Sequence, residues 1–147
     1  MSKYNLVVKK EKAATYRNMV RAEMVDQLYE KILQKLIVEK RYRDPAYSAK
    51  RLADDLDTNT RYISAVVSLR FHMNYSCLVN EYRIKDAMYM LIDKRNEEKT
   101  MEEISNEVGF ANRQSFYAAF YRIHQCSPRQ YKLTHQIPSN KKKKKGE

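Results

Sequence analysis

Two stripes of side chains carry the chemistry open to this sequence. Arg61, Ser64, Ala65 and Ser68 are spaced i, i+3, i+4 and i+7, which places them on one face of a helix. Arg113, Gln114, Tyr117, Ala118 and Tyr121 form a second outward stripe about fifty residues later. An arginine can pair bidentately with guanine and a glutamine with adenine, each worth about 1–3 kcal/mol of discrimination. Alanine methyls and tyrosine rings can touch thymine methyls or phosphates. Asn59, or Thr58 beside it, is placed to cap the first helix, and Asn112 the second. This is the chemistry of reading base edges.

Such stripes work only if a supporting helix and a turn pack tightly behind each one. In the first unit, residues 48–56 form the support through Leu52, Ala53 and Leu56, while Ile63, Val66 and Val67 supply the buried face of the second helix. In the second unit, Ile104 and Val108 support, Gly109 turns, and Phe110, Phe116 and Phe120 fill the core. Glycine suits a turn that needs positive φ. Each unit alone could be two amphipathic helices of a bundle. Two units with matched order, caps and outward stripes favour a pair of helix-turn-helix elements, whose second helices enter the DNA major groove.

Around these units the pattern is helical throughout. Gly occurs twice and Pro three times, and no Asn-Gly or Asp-Gly hairpin signal is present, so an all-α fold is expected. Val20, Met24, Leu28, Ile32 and Leu36 recur every four residues with Val25, Leu33 and Ile37 beside them, giving a first core helix over residues 16–41. That span is long, which invites a break near Met19–Ala22, and a dimerising helix is the alternative reading. Asp44-Pro45 stops it, because a residue before proline avoids the helical region. Asn74-Tyr75-Ser76 offers caps for a helix through Asp93, with Leu78, Tyr82, Ala87, Met88 and Leu91 as its apolar face. Residues 94–99 read as a charged loop. Thr100 and Glu103 spell a capping box, and Ser127-Pro128 opens a last helix that fades near His135. If helical, residues 76–93 span roughly 27 Å at about 1.5 Å per residue. With the widths of the two units added, that brings successive groove faces, about 34 Å apart, within reach.

Charge is concentrated at the ends. The formal net charge is +11, of which residues 1–22 hold +5, residues 141–147 hold +4 and the 118 residues between hold only +2. Residues 1–15 read as a basic arm, disordered rather than a short strand at Leu6-Val7-Val8, and residues 137–147 as a disordered tail. Lys141, Lys142, Lys143, Lys144 and Lys145 are candidate phosphate contacts or a solubilising end. Cys77 and Cys126 lack partners at metal-ligand or redox spacing and read as reduced, partly buried thiols. His72, His124 and His135 have no acidic or cysteine neighbours at useful spacing, and Glu102-Glu103 are first-turn acids that favour a helix dipole. No enzyme, cofactor or metal is expected. Most of the twelve tyrosines fall at core spacing, which weighs against single-strand stacking. The longest apolar run, residues 87–92, is far short of a membrane span, and no signal peptide opens the chain, so a cytoplasmic location is expected.

Residues 48–133 resemble the DNA-binding domain of the AraC/XylS family of bacterial transcription regulators. The resemblance rests on Ile104, Val108-Gly109-Phe110, Ser115-Phe116, Phe120 and the closing Ser127-Pro128-Arg129-Gln130-Tyr131. Tyr82-Arg83-Ile84-Lys85-Asp86-Ala87, with Leu91, resembles the family's linker helix. It implies about seven helices in two helix-turn-helix subdomains joined by that linker, here preceded by an N-terminal helical extension within a domain of residues 16–136. It also implies that Arg61, Ser64 and Ala65, and Arg113, Gln114, Tyr117 and Ala118, fall where the recognition helices meet bases. His72 and Gln125 stand where the family often has glycine, Ser105 replaces a usual alanine, and Ala65 and Ala118 are small. Only 47 residues precede the resembling stretch, too few for a sensing domain, so the chain resembles the stand-alone members or is a piece of a larger regulator. The expected function is regulation of transcription by a monomer on double-stranded DNA, with RNA polymerase or another regulator as further partners. The alternative is a protein–protein adaptor that keeps the fold without base readout.

Overall fold

The computed structural model describes Lys10 and residues 21–135, and every regular element in residues 21–135 is helical, as expected. The basic arm apart from Lys10, the candidate strand at residues 6–8, Val20 and the lysine run at residues 141–145 lie outside the described residues. Helix α1 is described from residue 21 to residue 33 and continues into a π-turn at Gln34–Val38. The Glu39 N–H closes that turn by donating to the Gln34 carbonyl at 3.0 Å. Lys40 then turns the chain through the left-handed region (φ 51°), and a 3-10 turn follows at Arg41–Arg43.

The first helix therefore ends well before Asp44. Asp44 is extended (ψ 116°), as a residue before proline must be, but the π-turn and Lys40 had already ended the helix. Arg21 and Ala22 are helical, and Met19 lies outside the described residues. Met24 and Ile37, expected on the apolar face, are 53% and 47% exposed. A four-residue repeat drifts round a helix of 3.6 residues per turn, so the ends of such a series leave the face its centre buries. The centre, Ile32 and Leu36, is fully buried, which makes α1 a core helix.

The remaining helices are α2 (Ala49–Asp55), α3 (Thr60–Phe71), α4 (Tyr75–Ile92), α5 (Met101–Val108), α6 (Arg113–His124) and α7 (Pro128–His135). Side chains fix most of their starts. Ser48 Oγ, Asn74 Oδ1 and Thr100 Oγ1 each accept the backbone N–H three residues on. Ser127 and Gln130 form a reciprocal box: Gln130 N donates to Ser127 Oγ at 3.1 Å and Ser127 N to Gln130 Oε1 at 3.0 Å. The charged loop after α4 begins as a 3-10 turn at Lys94–Asn96, capped by Asp93.

Two cores result, and α4 belongs to both. Leu78, Val79 and Tyr82 in its first half pack with Ile32, Leu36, Leu52, Ile63 and Val67. Ile84, Ala87, Met90 and Leu91 in its second half pack with Ile104, Val108, Phe116 and Phe120. The expected apolar face of this helix missed Val79, Ile84 and Met90, because one stripe cannot serve two partners on different sides.

A second connection crosses between the units. Asp86 of α4 accepts two bonds from Arg43, Nε at 2.8 Å and Nη2 at 3.0 Å, and a third from Tyr42 Oη at 2.8 Å. Arg83 donates from Nε to the Tyr42 carbonyl at 2.7 Å and from Nη2 to the Asp44 carbonyl at 3.2 Å. Its guanidinium lies 5.7 Å from the centre of the Phe110 ring. Residues 42–44 thus touch the turn of the second unit, although they precede the first.

Gly109 shows how close that approach is. It adopts φ 109°, and a Cβ there would sit 2.2 Å from the Tyr42 carbonyl oxygen and 2.9 Å from Arg43 Cα. Both neighbours are backbone atoms, so the contact cannot be relieved by a rotamer change. Gly109→Ala is expected to destabilise by more than the roughly 1–3 kcal/mol of left-handed strain alone. Urea unfolding measures this, and a change within about 0.5 kcal/mol would contradict the packing.

Candidate nucleic-acid interface

Helix α3 has two faces of opposite character. Ile63, Val66 and Val67 are buried, whereas Arg61, Ser64, Ala65 and Ser68 are all exposed. Asn59, not Thr58, is the cap: its Oδ1 accepts Tyr62 N at 3.0 Å. The turn before it uses Asp57 in the left-handed region (φ 55°), and Thr58 N donates to the Ala53 carbonyl at 2.9 Å.

Helix α6 repeats this arrangement. Phe116, Ala119 and Phe120 are buried; Arg113, Gln114, Ala118 and Tyr121 are exposed. Asn112 Oδ1 accepts Ser115 N at 2.8 Å. Tyr117 departs from the expected stripe, being half-buried with its ring 5.8 Å from that of Phe116. Its hydroxyl accepts from Arg113 Nη2 at 3.3 Å, and the Arg113 guanidinium lies 4.9 Å from its ring centre. Tyr117 thereby orders the arginine beside it.

Both asparagines spend their side-chain oxygen on the cap, which leaves the Nδ2 donors for a partner. Neither α3 nor α6 has an acid in its first turn, whereas α5 carries Glu102 and Glu103 there. The positive ends of α3 and α6 therefore carry no first-turn acid to compensate them, which favours an approaching anion. None of the ion pairs among the described residues engages Arg61 or Arg113.

A polar recess beside the first stripe, lined in part by Ser48, Ser64, Asn74, Ser76, Asn80 and Arg83, escaped sequence reasoning. Asn74 was legible as a cap, but nothing local in the chain brings it to Ser64. Among the described residues no cluster of His, Cys, Asp or Glu could hold a metal, and no helix is long and apolar enough to cross a membrane.

A family model described as a helix-turn-helix domain matches residues 52–134. The chain belongs to the AraC-type helix-turn-helix family of DNA-binding transcription regulators. Among solved structures it is similar to the C-terminal domain of a two-component response regulator from Fusobacterium nucleatum, at 26% identity and a TM-score of 0.61, covering 71% of this chain and 98% of that one. The C-terminal domain of AraT, a response regulator from Geobacillus stearothermophilus, shares the fold at 21% identity and a TM-score of 0.65, covering 74% and 88%. The DNA-binding domain of AdpA, a global transcriptional factor solved with a target DNA, aligns at 18% identity and a TM-score of 0.61, covering 73% and 90%. No curated protein matches the chain.

The departures from the AraC-type pattern have structural answers. His72 and Gln125 both take the left-handed conformation (φ 58° and 55°) that ends α3 and α6. Gln125 Nε2 donates to the Arg122 carbonyl at 3.1 Å, holding the cap in place of a glycine. Ser105 is fully buried with its Oγ 3.5 Å from the Asn112 carbonyl, a separation at the outer limit of a hydrogen bond. His124, expected at a helix end or on the surface, ends α6 but is half-buried against Phe120 and Tyr131, at ring distances of 4.9 and 5.5 Å. Burial there pushes its pKa below the usual imidazole range.

Because Asn112 caps α6, replacing it should cost stability as well as any DNA interaction it makes. Asn112→Ala is expected to lose roughly 0.5–2 kcal/mol and Asn112→Asp much less. Thermal melts of the two variants would show this, and equal Tm values for both would refute the cap.

Proposed function

We propose that this regulator reads a specific duplex site as a monomer, laying α3 and α6 into successive major grooves. The observation that carries the reading is the pair of exposed stripes, each following an asparagine cap, each with an arginine that makes no ion pair among the described residues and each at an acid-free helix start. Arg61, Arg113 and Gln114 read base edges. Ser64, Ser68 and Tyr121 supply further polar contacts, Tyr117 holds Arg113 in place, and Ala65 and Ala118 face thymine methyls. Asn59 and Asn112 donate from Nδ2 to phosphates. The 18 residues of α4 amount to about 27 Å of helix between the units, a length compatible with groove faces about 34 Å apart. Likeness to the AdpA domain, solved on its target DNA, supports the same engagement here.

Selection from random duplex DNA should recover two half-sites about 10 bp apart, bound by one chain in sedimentation. Arg113→Ala and Gln114→Ala are expected to relax base preference within one half-site, and Arg61→Ala within the other. Removing one bidentate pairing should weaken binding to the preferred sequence by about 1–3 kcal/mol. Uniform weakening on every sequence would make these residues phosphate contacts, and no duplex binding would leave the adaptor reading.

Lys141, Lys142, Lys143, Lys144 and Lys145 are proposed to touch phosphates without reading sequence. Truncation after Asn140 should lower affinity for specific and random duplexes by a similar factor. The slope of log affinity against log salt should fall by about 0.9 for each phosphate engaged. An unchanged slope at low salt would make the run a solubilising end.

A further inference from the structure

The two reading units share α4, and a shared helix alone fixes their separation better than their twist. A second tie placed off the helix axis would fix the twist, and residues 42–44 form one. Tyr42 is buried in the first core and stacks on Tyr82, its ring centre 6.1 Å away, so this segment moves with the first unit. Its backbone meets the second unit at Gly109, and Arg83 bridges its carbonyls to the Phe110 ring.

Asp86 holds the segment in place. Its side chain is only 11% exposed and accepts three bonds, from Arg43 and Tyr42. A buried carboxylate without those donors would be costly, so the segment is held in one geometry. Burial and the Asp86 contact both push the Tyr42 phenol well above its usual pKa, which keeps it protonated and donating. The family match begins only at residue 52, so Tyr42 and Arg43 lie outside it.

We propose that Tyr42, Arg43 and Asp86 are positioning residues that set the angle between α3 and α6, and hence the spacing of half-sites this protein accepts. The proposal rests on the two-unit reading above. Inserting one base pair between half-sites rotates them by about 34° and separates them by about 3.4 Å. A rigid pair of readers cannot follow both changes, whereas a pair free to twist about α4 can follow the rotation.

The test uses the full chain and the best duplex from selection, with zero or one base pair added or removed between its half-sites. Wild type is expected to lose roughly tenfold or more in affinity when the spacing changes, the scale of a mismatched position. Asp86→Asn and Arg43→Ala should bind the original duplex within a few-fold of wild type but lose only about twofold on respacing. Circular dichroism melts select variants that are folded at the assay temperature, and Arg43→Lys, which keeps the charge and loses the fork, replaces any that are not. Folded variants that keep the wild-type ratio, or that weaken equally on all spacings, would overturn the proposal while leaving the two-unit reading standing. A wild type indifferent to spacing would overturn both.

Discussion

A carboxylate taken out of water must find donors, and Asp86 finds three on a segment more than forty residues away. That requirement dictates much of the architecture. It brings residues 42 and 43 onto the middle of α4, between the two cores, and presses the Tyr42 carbonyl toward the turn of the second unit. Only glycine can stand at position 109 with that oxygen so near. The same carbonyl accepts from Arg83, whose charge has no carboxylate partner among the described residues and is held by backbone oxygens and an aromatic face. An ion pair in such a place contributes little net stability over an apolar substitute. What it supplies is a single geometry, because only one arrangement satisfies all three donors.

The rest of the fold was legible wherever the signal was local. Ser48, Asn59, Asn74, Thr100, Asn112 and Ser127 each open a helix as their residue types suggest, since a cap is decided by the next three residues. Gly109, Ile104, Val108, Phe116 and Phe120 sit where their spacing placed them. The strut that residues 42–44 form against Asp86 was not legible, because neither Arg43 nor Asp86 carries a local mark of its partner. Nor was the π-turn at Gln34–Val38, which has no side-chain cap and no glycine or proline within it. Tyr117 misled for a related reason. It shares a helical face with Arg113 and Ala118, yet Phe116 draws its ring inward.

Arginine partners sort the scaffold from the surface offered to DNA. Arg41, Arg43, Arg51, Arg70 and Arg95 each hold a carboxylate. These pairs lie on α1, on the strut, and at the ends of α2, α3 and α4. Arg61 and Arg113 hold none among the described residues, and both stand in the first turn of a helix without first-turn acids. The central 118 residues carry a net charge of only +2, so a diffuse field from this part of the chain is weak. Attraction to an anion must then arise locally, from two guanidinium groups without a carboxylate partner among the described residues and from two helix starts without first-turn acids. Local attraction of this kind favours a defined docking pose over sliding contact, which suits the site-specific binding proposed above.

The small residues on the stripes fit the same logic. Ala65 follows the cap Asn59 by six residues, and Ala118 follows Asn112 by six. Both units therefore present a methyl at one register, one and a half turns into the helix. A longer side chain there would hold the helix away from the groove floor and add rotamer entropy to be lost on binding. On the proposed reading, a methyl lets the backbone come closer, so that the first-turn side chains and the asparagine Nδ2 groups reach bases and phosphates together. On the proposed reading, Ala65 and Ala118 contribute to discrimination by shape and by touching thymine methyls. The polar residues around them then work at a distance that the alanines set.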